Sequence, residues 1–312
     1  MDAVRIVHEP FGGWQDTYRV ANGLVEARVV TEVGPRILEL RRVGGANLFH
    51  VREDELGGRQ EPVWRFRGGW RLWIAPERHD TTYALDNAPC EVTRDETKDC
   101  VSLRVLAPPQ PAAGIRKELS ITIDAGLPRL RIESRIRNVG TEAVTYAPWT
   151  LAALRPGGRA FLPLDVGPPT AFDAIRRLIL WSYTHIHDPR YRLGDRLVEV
   201  DYAAVERLPP RPPAVATFGE GAAQRRPDES KLGVDSVEGW GAYLLDGTLY
   251  VKRVEVAAGP RVDGGATVEV YSSREFIELE NLGTLTTLAP DDEAVLSEEW
   301  WLFGDVTLPP RP

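Results

Sequence analysis

Residues 130–138 read LRIESRIRN. Leu130, Ile132, Ser134 and Ile136 alternate with Arg131, Glu133, Arg135 and Arg137. Successive side chains of a strand point to opposite faces, so this period of two describes a strand with one face in a core and the other in water. Working outward, ELSITID (residues 118–124) repeats the pattern with Leu119, Ile121 and Ile123, and VSLRV (residues 101–105) with Val101, Leu103 and Val105. LVEARVV, RILELRRV, RLVEVDY, TLYVKRVEV, ATVEVYS, EFIELE and LSEEWWLF supply further strands, with Gly, Pro, Asn and Asp between them. So many strands without intervening helices predict an all-β sandwich or closed barrel, mostly antiparallel with little helix. AFDAIRRLILWS (residues 171–182) reads both ways. Phe172, Ile175 and Ile179 fit a helix face, while its β-branched and aromatic content fits a strand.

At 312 residues the chain suits one large β domain or two ordinary ones. RLPPRPPAVATF (residues 207–218) is Pro-rich, but strand patterns resume after it, so it is expected to be a surface loop within one domain spanning residues 1–312. The net charge is −8 and no basic block occurs, since Arg176–Arg177 and Arg225–Arg226 are only pairs. An acidic chain of this kind makes a poor polyanion binder, and no nucleic-acid partner is expected. MDAVRIVHEPFGG lacks the basic and apolar regions of a secretory signal, and no apolar run reaches bilayer length. A cytoplasmic location without a membrane partner follows as the expectation. Cys90 and Cys100 flank a polar hairpin tip and are expected to be reduced thiols on neighbouring strands.

Several segments carry a further signal through their order. VEARVVTEVGPRILELRRVGGANLFH (residues 25–50) gives two strands joined by a Gly-containing turn, and GGWRLWIAPERHDTTYALDNAP (residues 68–89) includes an Arg-bearing strand and a Tyr-x-Leu pair before Asn87. NVGTEAVTYAPWTLAAL (residues 138–154) and EFIELENLGTLTTLAPDDEAVLSEEWWL (residues 275–302) follow. Taken together, nearly the whole chain resembles the galactose mutarotase-like (aldose 1-epimerase-like) superfamily, in particular bacterial members known as a domain of unknown function. The resemblance implies a β-supersandwich with a sugar-binding cleft on the concave face of one sheet. It also implies a Glu acting as general base on the anomeric hydroxyl and a His acting as general acid on the ring oxygen. The ring then opens, the C1–C2 bond rotates, and closure gives the other anomer.

By this resemblance Glu280 takes the position of the catalytic base. In EFIELE, Glu278 and Glu280 share one strand face with Phe276, opposite Ile277 and Leu279. The family's central His falls at Trp149, whose indole N–H hydrogen-bonds but is no acid. Its first His has no counterpart after Asn87. Mutarotation of simple hexoses is therefore expected to be slow or absent, with His79, His185 or His187 as the replacement acid. His187 lies two residues from His185 and beside Asp188, which is a weak metal signal without further spaced ligands. No metal and no cofactor are expected. His8 and His50 sit in loop-like contexts without a nameable partner.

Arg71, Trp73, Glu77, Asp86 and Asn87 of the 68–89 stretch combine a five-donor guanidinium, an aromatic surface, acceptors and an amide, as a carbohydrate cleft requires. The plainer alternative is a loop whose own ion pairs fix its shape. Trp149 is expected to stack on a sugar ring or to serve as a core aromatic. Lys231, suited to neutralising an acidic sugar, and Trp240 join the substrate-binding candidates with Glu278 and His187. The expected partner is a small carbohydrate or sugar-derived molecule. A non-catalytic sugar-binding protein and a lyase- or cyclase-type reaction on the same scaffold stand as alternatives.

Overall fold

The computed structural model describes residues 4–167, 172, 174–208 and 228–308. Its strands, numbered in chain order, form two sheets. From one edge the first sheet runs β1 (Arg5–His8), β2 (Thr17–Ala21), β3 (Val25–Val30), β4 (Arg36–Arg42), β5 (Trp70–Ala75) and β10 (Val144–Leu154). It continues through β19 (Ile277–Leu282), β18 (Val268–Ser272), β15 (Ser230–Asp235) and β12 (Arg177–Leu180), while β20 (Thr286–Leu288) pairs with one end of β10. The second sheet begins with β13 (Tyr191–Leu193), β14 (Leu197–Asp201), β11 (Arg159–Pro163), β16 (Trp240–Leu245) and β17 (Thr248–Val254). It ends with β21 (Glu293–Phe303), β9 (Arg129–Asn138), β8 (Ile115–Asp124), β7 (Cys100–Leu106) and β6 (Glu91–Glu96).

The strand pairings are antiparallel, including those of the central strands β5, β10, β19, β18 and β15. Among the described residues the helical content is three 3-10 turns, at Glu53–Glu55, Tyr202–Arg207 and Asp263–Gly265. The all-β expectation holds. Of the ambiguous segment, Arg177–Leu180 form strand β12, an edge strand on β15, while Ala171 and Asp173 lie outside the described residues. A helix there would leave that edge of β15 unpaired. Of the Pro-rich run, residues 209–218 lie outside the described residues. No helix among the described residues is long and apolar enough to cross a membrane.

The core sits between the sheets. Leu130, Ile132 and Ile136 of β9 are buried while Arg131 and Arg137 are exposed, as their alternation requires. Across from them, Leu72, Ile74, Ala152, Leu154, Ile277 and Leu279 of the first sheet join the same apolar cluster. Trp300 of β21 packs edge-on against Trp70, Phe49 and Tyr250 at centroid distances of 5.9, 6.1 and 5.7 Å. Such aromatic contacts add about 0.5–1.5 kcal/mol each beyond the area they bury.

Strands β5 and β19 differ from β9 in that every residue is buried, on both faces. Their inner faces give Trp70, Leu72, Ile74, Ile277 and Leu279 to the core, but their outer faces carry Arg71, Trp73, Glu278 and Glu280. Gly68 and Gly69 make the entry to β5 possible. Both have positive φ, and a Cβ on either would lie 2.2 Å from the His50 carbonyl oxygen or 2.3 Å from that of Ile37. Only glycine fits such an approach. In the β6–β7 hairpin Glu96 faces Val101 and Glu91 faces Leu106, so Cys100 sits at the turn and Cys90 beyond the far end. Both are free thiols, and burial pushes the Cys90 thiol up to about 12.

Candidate functional site

Register brings the outer-face side chains together. Leu151 of β10 faces Arg71 of β5 on one side and Glu280 of β19 on the other, and Trp149 faces Trp73. Glu280 in turn faces Glu269 of β18, Glu278 faces Tyr271, and Tyr271 faces Lys231 of β15. The same period of two that gives the inner face to the core thus gathers charged and aromatic groups from five strands on the face turned away from the second sheet.

These side chains are tightly connected. Arg71 Nη1 donates to Glu278 Oε1 at 2.6 Å. Glu280 Oε2 accepts from Trp149 Nε1 and from Lys231 Nζ, each at 2.8 Å. Lys231 Nζ lies 2.6 Å from Glu269 Oε2 and over the rings of Trp149 and Trp181, at 4.7 and 4.6 Å from their centroids. Arg71 stands over the ring of Trp73 at 4.0 Å. Burial raises the Glu278 carboxyl above the usual range, and the charge of Glu280 adds to this against the pull of Arg71. Burial likewise drives Glu269 well above that range, despite Lys231. For Lys231 burial opposes the charge, but Glu269 and Glu280 outweigh it and hold the ammonium above the ordinary lysine range.

The face opens into a cavity of about 490 Å³, within the size range of small-molecule sites. Trp64, Phe66, Arg71, Trp73, Glu77, His79, Tyr83 and Trp149 line it together with Leu151, Tyr183, Glu229, Lys231, Tyr271, Phe276, Glu278 and Glu280. Half of these residues are aromatic. Trp64, Trp73, Tyr83 and Trp149 form a connected wall, with Trp73 at 5.0, 4.8 and 5.4 Å from the other three. Phe66 stacks on Phe276 at 4.7 Å on the other side. A larger hollow of about 700 Å³ lies on the second sheet among Arg131, Glu133, Arg253 and Glu299, but no aromatic side chain lines it. Ring stacking, which a sugar face needs, is available only in the first of these two cavities.

The structure therefore gathers Arg71, Trp73, Glu77, His79, Trp149, Lys231, Glu278 and Glu280 in one lining. Asp86 and Asn87 are a correction. Asp86 accepts from Arg36 Nη2 at 2.8 Å, and Arg36 also donates to the carbonyls of Phe66 and Arg65 at 2.6 and 3.1 Å. Asn87 donates to the Glu61 carbonyl at 2.5 Å. Both hold the loop behind the wall, because the fully buried Arg36 needs a carboxylate and the loop carbonyls need donors. Trp240 is a second correction. It lies on β16 of the other sheet and donates to Glu238 at 2.6 Å.

His185 and His187 are exposed in the segment between β12 and β13 and do not line the cavity. Their neighbour Asp188 is buried against Arg190 at 2.7 Å, which draws the segment's charged group away. Among the described residues no three His, Cys, Asp or Glu side chains cluster as a metal site requires. Lys231 is present in the lining, but with both nearby carboxylates already on its ammonium.

Sequence reading missed Trp64, Phe66, Tyr83, Tyr183, Glu229, Glu269 and Tyr271. Two signals were available. VEVYS alternates Glu269 and Tyr271 with Val268 and Val270, as EFIELE alternates its glutamates with Ile277 and Leu279. Trp64 and Phe66 alternate with arginines in PVWRFRGG, beside the glycines that open β5.

No protein-family profile matches the chain, and no curated protein matches it in sequence. Solved structures do match in fold. A galactose mutarotase-like protein of Clostridium acetobutylicum superposes with a TM-score of 0.61 over 97% of this chain and 99% of its own, at 12% identity. The Slr1438 protein of Synechocystis gives 0.57 over 94% of this chain and 98% of its own, at 13% identity. A TPR-domain containing protein of Parabacteroides distasonis gives 0.60 at 13% identity; it covers 94% of this chain, which spans 48% of that longer protein. The chain has the galactose mutarotase-like fold.

Proposed function

We propose that the chain takes a sugar or sugar-derived substrate in this cavity and acts on it as an aldose 1-epimerase-like isomerase. The observation that carries the reading is the pair Glu278 and Glu280, facing an aromatic-walled cavity on the sheet of a galactose mutarotase-like fold. Glu280 is the general base. Trp149 and Lys231 fix its Oε2, and Oε1 is left to take the proton of the anomeric hydroxyl. Arg71, with Glu278, orients a ring hydroxyl, while Trp73 or Trp149 stacks on the C–H face of the sugar. His79, the histidine of the lining, gives a proton to the ring oxygen as the ring opens. Closure after rotation about C1–C2 returns that proton through His79 and the base's proton through Glu280. The same proposal places the chain in the cytoplasm as one domain.

One observation favours a second reading, in which the chain binds sugar without turnover. Lys231 Nζ and Trp149 Nε1, each at 2.8 Å, already occupy Glu280 Oε2, so one of its two oxygens is closed to a ligand proton. Polarimetry on freshly dissolved single anomers, with calorimetric binding alongside, separates the two. If Glu280 and His79 are base and acid, Glu280→Gln and His79→Ala each slow anomer exchange roughly a hundred- to ten-thousand-fold. Simple glucose and galactose are expected to bind more readily than they turn over. Binding without acceleration on any aldose supports the second reading, and acceleration that survives Glu280→Gln removes Glu280 as base.

A further inference from the structure

We propose that the cavity selects a positively charged sugar, an amino sugar whose ammonium is held among aromatic faces and surplus carboxylates. This rests on the sugar reading above and narrows its substrate class.

Glu77, Glu229, Glu278 and Glu280 line the cavity, with Glu269 beside them, against Arg71 and Lys231 as permanent cations. Both cations are already engaged. Arg71 is paired with Glu278, and Lys231 is held between Glu269 and Glu280. An acidic sugar would find both permanent cations of the lining already paired and would meet the unpaired carboxylates of Glu77 and Glu229. Glu77 and Glu229 have no ion-pair partner among the described residues. Glu77 accepts from the Tyr83 hydroxyl at 2.6 Å, and Glu229 lies beside the Tyr271 hydroxyl. Excess charge of one sign in a partly enclosed cleft raises the local concentration of ligands of the other sign.

The walls agree with the charges. Cations are attracted to aromatic faces within about 6 Å of the ring centre. The protein's own Lys231 and Arg71 already sit this way on Trp149 and Trp73. A hydroxyl-bearing body for the ligand is indicated separately. Trp73 is 4% exposed and its indole N–H has no hydrogen-bond partner, so an acceptor is wanted at this wall.

Isothermal titration calorimetry of the full chain tests this with five ligands in mildly acidic buffer: glucosamine, N-acetylglucosamine, glucose, glucuronic acid and tetramethylammonium. Glucosamine is expected to bind about tenfold tighter than glucose, a gain that acetylation of the amine erases, with glucuronic acid weakest. Raising the salt should shrink the glucosamine advantage without any mutation. A Glu77→Gln/Glu229→Gln variant, checked for folding by its thermal transition, should bring the glucosamine-to-glucose ratio towards one. Glucose or glucuronic acid binding as well as glucosamine overturns the charge inference and leaves the sugar reading standing. Binding of tetramethylammonium without any sugar overturns the sugar reading and retains the cation preference. Binding of none of the five overturns both.

Discussion

Two buried lysines lie on opposite sides of the same central strands and are partnered in opposite ways. Lys252 of β17 enters the core from the second sheet and donates to Thr150 O and Thr150 Oγ1 at 3.0 Å each, with Glu298 Oε1 at 3.1 Å. Glu298 also accepts from the Thr150 hydroxyl and from Trp300 Nε1. One cation meets one carboxylate, and the hydrogen bonds close around them. Lys231, on the outer face, meets two carboxylates, and Glu269 Oε1 has no hydrogen-bond partner. Burial lowers the Lys252 ammonium below the ordinary lysine range despite Glu298, whereas two carboxylates carry Lys231 above it. The inner cluster is complete in itself and holds β10 through Thr150 and β19 through the Leu279 carbonyl, which accepts from Lys252 Nζ at 3.4 Å. The outer one leaves a carboxyl oxygen of Glu269 without a partner, so its hydrogen bonding is not closed as that of the inner cluster is.

The largest effect expected from this contrast is on the inner cluster. Lys252→Met strands Glu298 in a dry core and should cost about 3–5 kcal/mol in denaturant unfolding. A loss below about 1 kcal/mol would mean that the inner pair is not the closed network its geometry describes. Lys231→Met should cost less, about 1–3 kcal/mol, because Lys231 and Glu280 line the cavity, and water can enter where the ammonium stood. Its main consequence should be weaker ligand binding. Equal stability losses from the two substitutions would erase the distinction between the clusters.

The smallest effect concerns pH. A carboxyl that holds its proton more tightly when folded stabilises the fold below the ordinary glutamate range, and that stability is lost as pH rises through its raised value. Glu269 and Glu278 both have this sign, so stability should fall as pH rises from the ordinary glutamate range. Glu269→Gln should flatten that fall, and at neutral pH should change stability by no more than about 1 kcal/mol, in the stabilising direction. A steeper fall in Glu269→Gln than in the parent chain would show that Glu269 is held ionised by Lys231.

What the sequence determined by itself was everything that depends on local period. The alternation in LRIESRIRN, ELSITID and EFIELE fixes which residues share a strand face, because strand geometry is set by neighbouring dihedral angles alone. The all-β class, the inward Ile277 and Leu279, and the shared face of Glu278 and Glu280 were legible for that reason. Tertiary structure decided the partners. Arg71 and Glu278 are 207 residues apart in sequence, and only the neighbouring of β5, β10 and β19 brings their side chains together. The same packing turns the Trp149 indole N–H to Glu280, gives Lys231 two carboxylates, and sends Asp86 to Arg36 behind the wall. A guanidinium or carboxylate carries no local mark of its partner. Burial makes pairing obligatory, and the order of strands in the sheet chooses the pair.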